Sequence, residues 1–207
     1  MNTQALLPLG TATLAEAWPA ARLLDMALRP LAPGMALAGP ALPVRCTPGD
    51  NLALHIAIAA ARPGDVLVVD YGGSLDSGPF GEIMALACQL RGIAGMVIDG
   101  AVRDSAQIAA LGFPVFARGI NIRGTRKQDR GQIGDPVTLG GVTIAAGDIV
   151  LADADAIITF AAADLPAALA AAQTRAAHEA QVMQQLRDGA TTLAILGLTA
   201  SGMETAS

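Results

Sequence analysis

The sequence predicts an α/β domain with a mixed rather than an all-parallel sheet and a C-terminal helix. Its mixed-sheet character rests on three observations. Helical patterns alternate with strand-like runs through the first half of the chain. The run Val66-Leu-Val-Val69 is continuously apolar, as a strand buried on both faces is. Four short strand-like segments then cluster between positions 137 and 160, separated by Gly-Gly and Gly-Asp turns.

Each element follows in order. Thr13-Leu-Ala-Glu16 has capping-box spacing and predicts a helix running towards Leu28, with Pro19 kinking its early turns. Pro30, Pro33, Pro40 and Pro43 predict an extended, turn-rich passage. Thr47-Pro-Gly-Asp50 reads as a turn in which Asp50 caps a helix over 51–61, and Arg62-Pro-Gly-Asp65 repeats that turn before the strand at 66–69. A Gly/Ser/Asp/Pro loop covers 71–80. A helix over 81–91, a strand over 95–99, a short helix over 105–111 and a strand over 115–117 come next. Residues 121–136 are polar, with Arg123, Arg126, Lys127 and Arg130. The predicted short strands are 137–139, 142–144, 149–151 and 156–160, and a long helix runs over 165–187 to stop near Gly189.

At 207 residues the chain reads as a single domain spanning 1–207, with the helical segment 162–188 placed to contact a neighbouring subunit. Apolar residues make up 53% and mean hydropathy is +0.48, mostly through alanine. No run reaches about 18 uninterrupted apolar residues, the length a bilayer requires. His55 breaks one apolar stretch, and Asp164 and Pro166 break another. The excess apolarity therefore points to a homo-oligomer interface. A net charge of −5 with 3% aromatics argues against a nucleic-acid partner, which needs basic grooves and stacking rings. The N-terminus has no basic start followed by an apolar block, and the only cysteines are Cys46 and Cys88. A reduced, cytoplasmic protein with no membrane partner is the expectation.

Candidate chemistry centres on Gly81-Glu82-Ile83-Met84 and Arg103-Asp104. A helix beginning at Gly81 leaves its first N–H groups without intrahelical acceptors. Those groups and Arg103 can hold a carboxylate from two sides, and Asp104 supplies one hard oxygen for Mg²⁺ or Mn²⁺. An anion clamp beside a metal ligand suits enolate chemistry on a 2-keto acid. Each residue also has a plainer reading. Arg103 can pair with Asp104, Asp104 can cap the helix at Ser105, Glu82 can serve the helix dipole, and Asp99 can be a strand end. Glu16 can be half of a capping box, His55 a core histidine, and His178 and Glu179 a solvated helix face. No zinc spacing, Ser-His-Asp set or Walker loop is present. Lys127 is the only lysine and lies in a polar run, so an aldolase here uses metal rather than imine chemistry.

Five segments then carry a resemblance: Gly64-Asp-Val-Leu-Val-Val-Asp70, Gly81-Glu82, Arg91-Gly-Ile-Ala-Gly-Met-Val-Ile-Asp-Gly-Ala-Val-Arg-Asp104, Phe113-Pro-Val-Phe-Ala-Arg-Gly119 and Gly140-Gly-Val-Thr-Ile-Ala-Ala-Gly-Asp148. Over roughly 45–160 the chain resembles one superfamily. It contains the 4-hydroxy-4-methyl-2-oxoglutarate / 4-carboxy-4-hydroxy-2-oxoadipate aldolases of aromatic-compound degradation and the non-enzymatic inhibitors of ribonuclease E. The resemblance implies a swivelling-type β/β/α fold, trimers, often stacked as hexamers, and a divalent-metal lyase that releases pyruvate and decarboxylates oxaloacetate. The aldolase branch carries Asp, twenty residues, then Arg-Asp; here Glu82 stands in the first position and Arg103 and Asp104 in the last two. The resemblance thus implies pyruvate binding by Arg103 and by the N–H groups of Ile83 and Met84 beside Gly81. It implies metal binding by Asp104 and a hold on a metal-bound water by Glu82. Glu16 and Glu179 align with acidic residues that face the site, Glu179 from a neighbouring subunit. Many relatives carry an acid where this chain has Gln107. The inhibitors lack the Asp after the Arg, so Asp104 favours an enzyme with a small 2-keto acid substrate over a protein-binding regulator. A methyltransferase reading lacks a Gly-rich strand-loop-helix start with a downstream acidic ribose ligand.

Overall fold

The computed structural model describes residues 2–24 and 27–198. Eleven strands are formed among them: β1 (Arg22–Leu23), β2 (Arg29–Pro30), β3 (Leu37–Arg45), β4 (Val66–Asp70), β5 (Gly95–Val102), β6 (Val115–Ile120), β7 (Gln132–Ile133), β8 (Val137–Leu139), β9 (Val142–Ile144), β10 (Ile149–Ala152) and β11 (Ile157–Phe160). The helices are α1 (Gly10–Ala17), α2 (Leu52–Ala60), α3 (Glu82–Leu90), α4 (Ser105–Leu111), α5 (Leu165–Arg187) and α6 (Thr192–Ile195).

The main sheet runs β1-β11-β10-β3-β4-β5-β6-β2, with β7 on the end of β3, and β8 and β9 form a separate hairpin. Strands β3 to β6 are parallel, whereas β10 runs antiparallel to β3 and to β11. The mixed sheet is therefore the one the sequence predicts. Helices α2, α3 and α4 cover one face of the parallel half through Leu54, Met84, Cys88 and Ile108. Leu28, Val137, Leu139 and Ile144 cover the other face. The antiparallel half packs on α1 and α5 through Leu14, Phe160, Leu165 and Ala168. Burying one such leucine or phenylalanine is worth about 1.5–3 kcal/mol. No described helix is long and apolar enough to cross a membrane.

Three sequence expectations change. The first helix is Gly10–Ala17, not a helix from Thr13 towards Leu28. It stops at Trp18 because Pro19 has no N–H to donate to the Ala15 carbonyl and disfavours helical geometry in the residue before it. Residues 22–23 are a strand instead, and Asp25 and Met26 lie outside the described residues. The second change is β3, which sits centrally despite Pro40 and Pro43. Ala41 donates to Asp148 O, so the ring nitrogen of Pro40 faces the other edge, where β4 pairs only from Ala41 onwards. Pro43 O accepts from Gly134 N–H, so the Pro43 ring nitrogen faces away from β4. Neither proline removes a bond of the β3–β4 ladder. Third, His55 is exposed rather than in the core.

Candidate active site

The site forms at the carboxyl ends of the parallel strands, where open α/β sheets place their ligand crevices. Three backbone bonds tie its segments together: Arg103 N–H to Phe80 O at 2.9 Å, Asn121 N–H to Val102 O at 2.9 Å and Gly78 N–H to Arg123 O at 2.9 Å. Phe80 is fully buried and packs against Phe113 with ring centroids 6.2 Å apart, which anchors the start of α3.

Asp104 is the only non-glycine residue at positive φ among the described residues, with φ 54° and ψ 40°. That conformation, which aspartate tolerates better than most residues, accompanies a carboxylate directed to α3 rather than to α4. Asp104 Oδ2 accepts the Glu82 N–H at 3.1 Å and lies 3.7 Å from Arg103 Nε. The side chain makes no cap bond to α4, so the plain capping reading gives way. Gly81 makes this approach possible. A Cβ there would stand 2.3 Å from Asp104 Oδ2 and 3.1 Å from Arg103 Nε.

A cleft of about 230 Å³ opens over these groups, lined by Gly81, Ile83, Met84, Arg103 and Asp104. These are five of the residues the sequence singles out. The amide set at the helix start is narrower than expected. The Glu82 N–H serves Asp104, and the Met84 N–H donates to Gly81 O at 3.1 Å. Among the described residues no acceptor reaches the Ile83 N–H, which remains the donor open to a ligand.

The sequence reading missed Asn51 and His55, which come from the start of α2. Gly124, Thr125 and Lys127 come from the polar 121–130 run after β6, which the sequence offers as a wall of the distal pocket. Partial desolvation on the cleft wall and then the Lys127 charge push the His55 imidazole below its ordinary value, which favours the neutral ring at pH 7. Asn51 is 6% exposed, and its amide nitrogen donates to Pro79 O at 2.8 Å. The i, i+4 spacing of Asn51 and His55 is the signal that could have found them together on one helix face.

Other expected residues lie elsewhere. The Glu82 side chain is exposed and does not line the cleft. Glu16 and Glu179 meet at the junction of α1 and α5, where Arg175 pairs with both and the Thr13 hydroxyl donates to Glu179 at 3.2 Å. Thr13 and Glu16 therefore sit inside α1 and form no capping box. Asp99 pairs with Arg118 and is more than a strand end.

Asp104 is the cleft's carboxylate, and among the described residues no group of three His, Cys, Asp or Glu side chains could cage an ion. That donor set fits a hard divalent cation which keeps most of its waters, as Mg²⁺ does, and does not fit a closed zinc centre.

The chain is similar to several known proteins. A 4-hydroxy-4-methyl-2-oxoglutarate aldolase, so named provisionally, from Halalkalibacterium halodurans is 37% identical over 147 residues, covering 71% of this chain and 70% of that protein. A crystal structure described as an S-adenosylmethionine:2-dimethylmenaquinone methyltransferase from Geobacillus kaustophilus superposes with a TM-score of 0.69 at 30% identity, covering 72% of this chain and 92% of that one. The RNA-processing inhibitor RraA from Thermus thermophilus superposes with a TM-score of 0.68 at 27% identity, covering 72% and 91%. The RraA-like family description, Aldolase/RraA, matches residues 11–159, and the chain belongs to that family.

Proposed function

We propose that this chain is a divalent-metal-dependent carbon–carbon lyase that cleaves 4-hydroxy-2-oxo acids to pyruvate, decarboxylates oxaloacetate in the same cleft, and works as a homotrimer or homohexamer. The observation that carries the reading is the convergence of Arg103, Asp104 and the first turn of α3 on one small cleft. Its volume, about 230 Å³, suits a short keto acid better than a nucleoside cofactor.

The chain's own groups divide the work. Arg103 and the Ile83 N–H hold the pyruvyl carboxylate, and a charged hydrogen bond of that kind contributes about 1.5–3 kcal/mol. Asp104 would hold Mg²⁺ or Mn²⁺, which when bound supplies Lewis acidity towards the 2-keto oxygen. Cleavage of the C3–C4 bond leaves its electron pair on the pyruvyl fragment beside Arg103, and the C4 hydroxyl proton must go to a base. On this reading Glu82, exposed beside the cleft at the start of α3, takes that proton through an intervening water. Glu179 on the 162–188 segment, with Glu16 held beside it at the α1–α5 junction, faces the site from an adjacent subunit. A proton delivered to C3 then gives pyruvate. Loss of CO₂ from oxaloacetate leaves the same fragment, so one cleft serves both reactions.

A coupled pyruvate-release assay over 4-hydroxy-2-oxo acids and oxaloacetate, with Mg²⁺, Mn²⁺ or EDTA, tests this. Wild-type turnover should vanish in EDTA. Asp104→Asn, which tolerates the same backbone conformation, should lose at least about a hundredfold in rate. Arg103→Ala should raise KM and lower kcat together. A purified protein that releases no pyruvate with either cation ends the lyase reading. The likeness to the RNA-processing inhibitor would then make binding to a ribonuclease the next measurement.

A further inference from the structure

Lys127 reaches the cleft from a segment with almost no regular structure. Between β6 and β7 the chain makes one isolated bridge, Asp50 with Arg126. The turn before α2 is what holds it. Arg126 N–H donates to Gly49 O at 2.9 Å, and Asn51 N–H donates to Arg126 O at 3.0 Å. Asp50 completes the junction with its side chain. Oδ1 accepts the Leu52 N–H at 2.9 Å and Oδ2 accepts the Gln128 N–H at 2.8 Å. Asp50 is 3% exposed, so a buried carboxylate joins the first turn of α2 to the residue after Lys127. Burial alone would raise the Asp50 carboxyl. The N–H groups of Leu52, Gln128 and Asp129 and the nearby Arg126 outweigh it and hold the group below its ordinary value. The same turn is braced from beneath, where Gly49 N–H donates to the buried Tyr71 hydroxyl at 2.7 Å and that hydroxyl bonds Ser77 Oγ at 2.8 Å. Asp50 does not itself line the cleft, whereas its sequence neighbour Asn51 and the clasped Lys127 do.

We propose that Asp50 is a positioning residue: its buried carboxylate clasps the 126–128 segment so that the Lys127 ammonium stands at the cleft and takes an anionic group at the end of the ligand remote from Arg103. That group is the second carboxylate of a substrate such as the oxaloacetate proposed above. This rests on the lyase reading for the identity of the pyruvyl end alone.

Binding tests it without requiring turnover. Pyruvate and 2-oxoglutarate are titrated calorimetrically, with Mg²⁺ present, into wild type, Lys127→Gln, Asp50→Asn and the double variant. Lys127→Gln should weaken 2-oxoglutarate about tenfold and leave pyruvate within about twofold. Asp50→Asn keeps the shape but turns an amide donor against one of the two N–H groups. It should weaken 2-oxoglutarate by about three- to tenfold, spare pyruvate, and add nothing to Lys127→Gln in the double variant. Equal losses for both probes, additive losses in the double variant, or no loss would each overturn the proposal. So would wild-type affinity no higher for 2-oxoglutarate than for pyruvate. Lys127 is exposed, so its variant folds whether or not Asp50→Asn does, and an unchanged ratio of affinities in it overturns the proposal alone. A wild type that binds both probes with this selectivity yet releases no pyruvate in the assay above overturns the lyase reading and leaves the clasp standing.

Discussion

At the scale of single residues the site is decided by the absence of a side chain. Gly81 has an ordinary extended φ of −146°, so its backbone conformation does not demand glycine. The demand is steric, from Asp104 Oδ2 at 2.3 Å from where a Cβ would stand. Gly81→Ala is relieved most easily by swinging the Asp104 carboxylate away, since that is the end of a side chain rather than backbone. The expected outcome is a fall in metal-dependent turnover of about a hundredfold, with thermal stability changed by no more than about 1 kcal/mol. Unaltered kinetics would show that the Asp104 position is not critical. The Arg103-Asp104 pair is readable in the sequence as a chemical motif. The direction of the Asp104 carboxylate is not, because it depends on a left-handed backbone and on a glycine 23 positions earlier that only the fold brings alongside. His55 was misjudged, and the place of Lys127 at the cleft is not local information, for the same reason: the bonds that bring the 126–128 loop to α2 span about 75 residues, with Gln128 reaching Asp50 78 positions away.

At the scale of elements, periodicity made most of the fold legible. Helices α3, α4 and α5 and strands β4, β8 and β9 lie within a residue or two of their predicted bounds, because each is a local pattern closed by local turn chemistry. Helix α1 was misread because its start is secured by a distant partner. The Asp153 carboxylate accepts the Thr11 N–H and the Thr11 hydroxyl, both at 2.7 Å, in place of a residue beside the helix. Burial alone would raise the Asp153 carboxyl, but the Thr11 hydroxyl and the N–H groups of Thr11, Asp155 and Ala156 hold it below its ordinary value. A carboxyl lowered by folding adds stability above its unfolded pKa, about 3.9, and loses that contribution as pH falls through the folded value. Asp153→Asn should therefore destabilise the protein by about 1–3 kcal/mol at pH 7. The gap should narrow in acid below about pH 4, as wild-type Asp153 itself becomes protonated. Thermal unfolding of both proteins across that range reads the difference. A gap of constant size would assign the effect to packing rather than charge.

At the scale of the whole molecule, the apolar surplus of the sequence has a place. Along α3, Ile83, Leu86 and Leu90 are 81%, 42% and 79% exposed at i, i+3 and i+7 spacing, so they form one stripe on a helix whose first turn lines the cleft. Ile120, which ends β6, and Ile122 just after it are 59% and 85% exposed. Scattered exposed leucines are ordinary, but an aligned apolar stripe continuous with a cleft wall suits a face that another subunit covers. The homo-oligomer proposed above then explains two features together. It covers the α3 stripe, and it gives Glu16 and Glu179, held at the α1–α5 junction away from their own cleft, a neighbouring cleft to face. The double substitution Leu86→Arg and Leu90→Arg alters only exposed positions and should leave the fold intact. Light scattering should find wild type at a multiple of the 20.8 kDa protomer and the variant at a lower multiple, with pyruvate release falling in step. A variant that keeps the wild-type mass places the interface elsewhere. A variant that dissociates and retains full turnover shows that one chain completes the cleft, which would remove Glu16 and Glu179 from the chemistry and leave the proton from the C4 hydroxyl to a group of the same subunit.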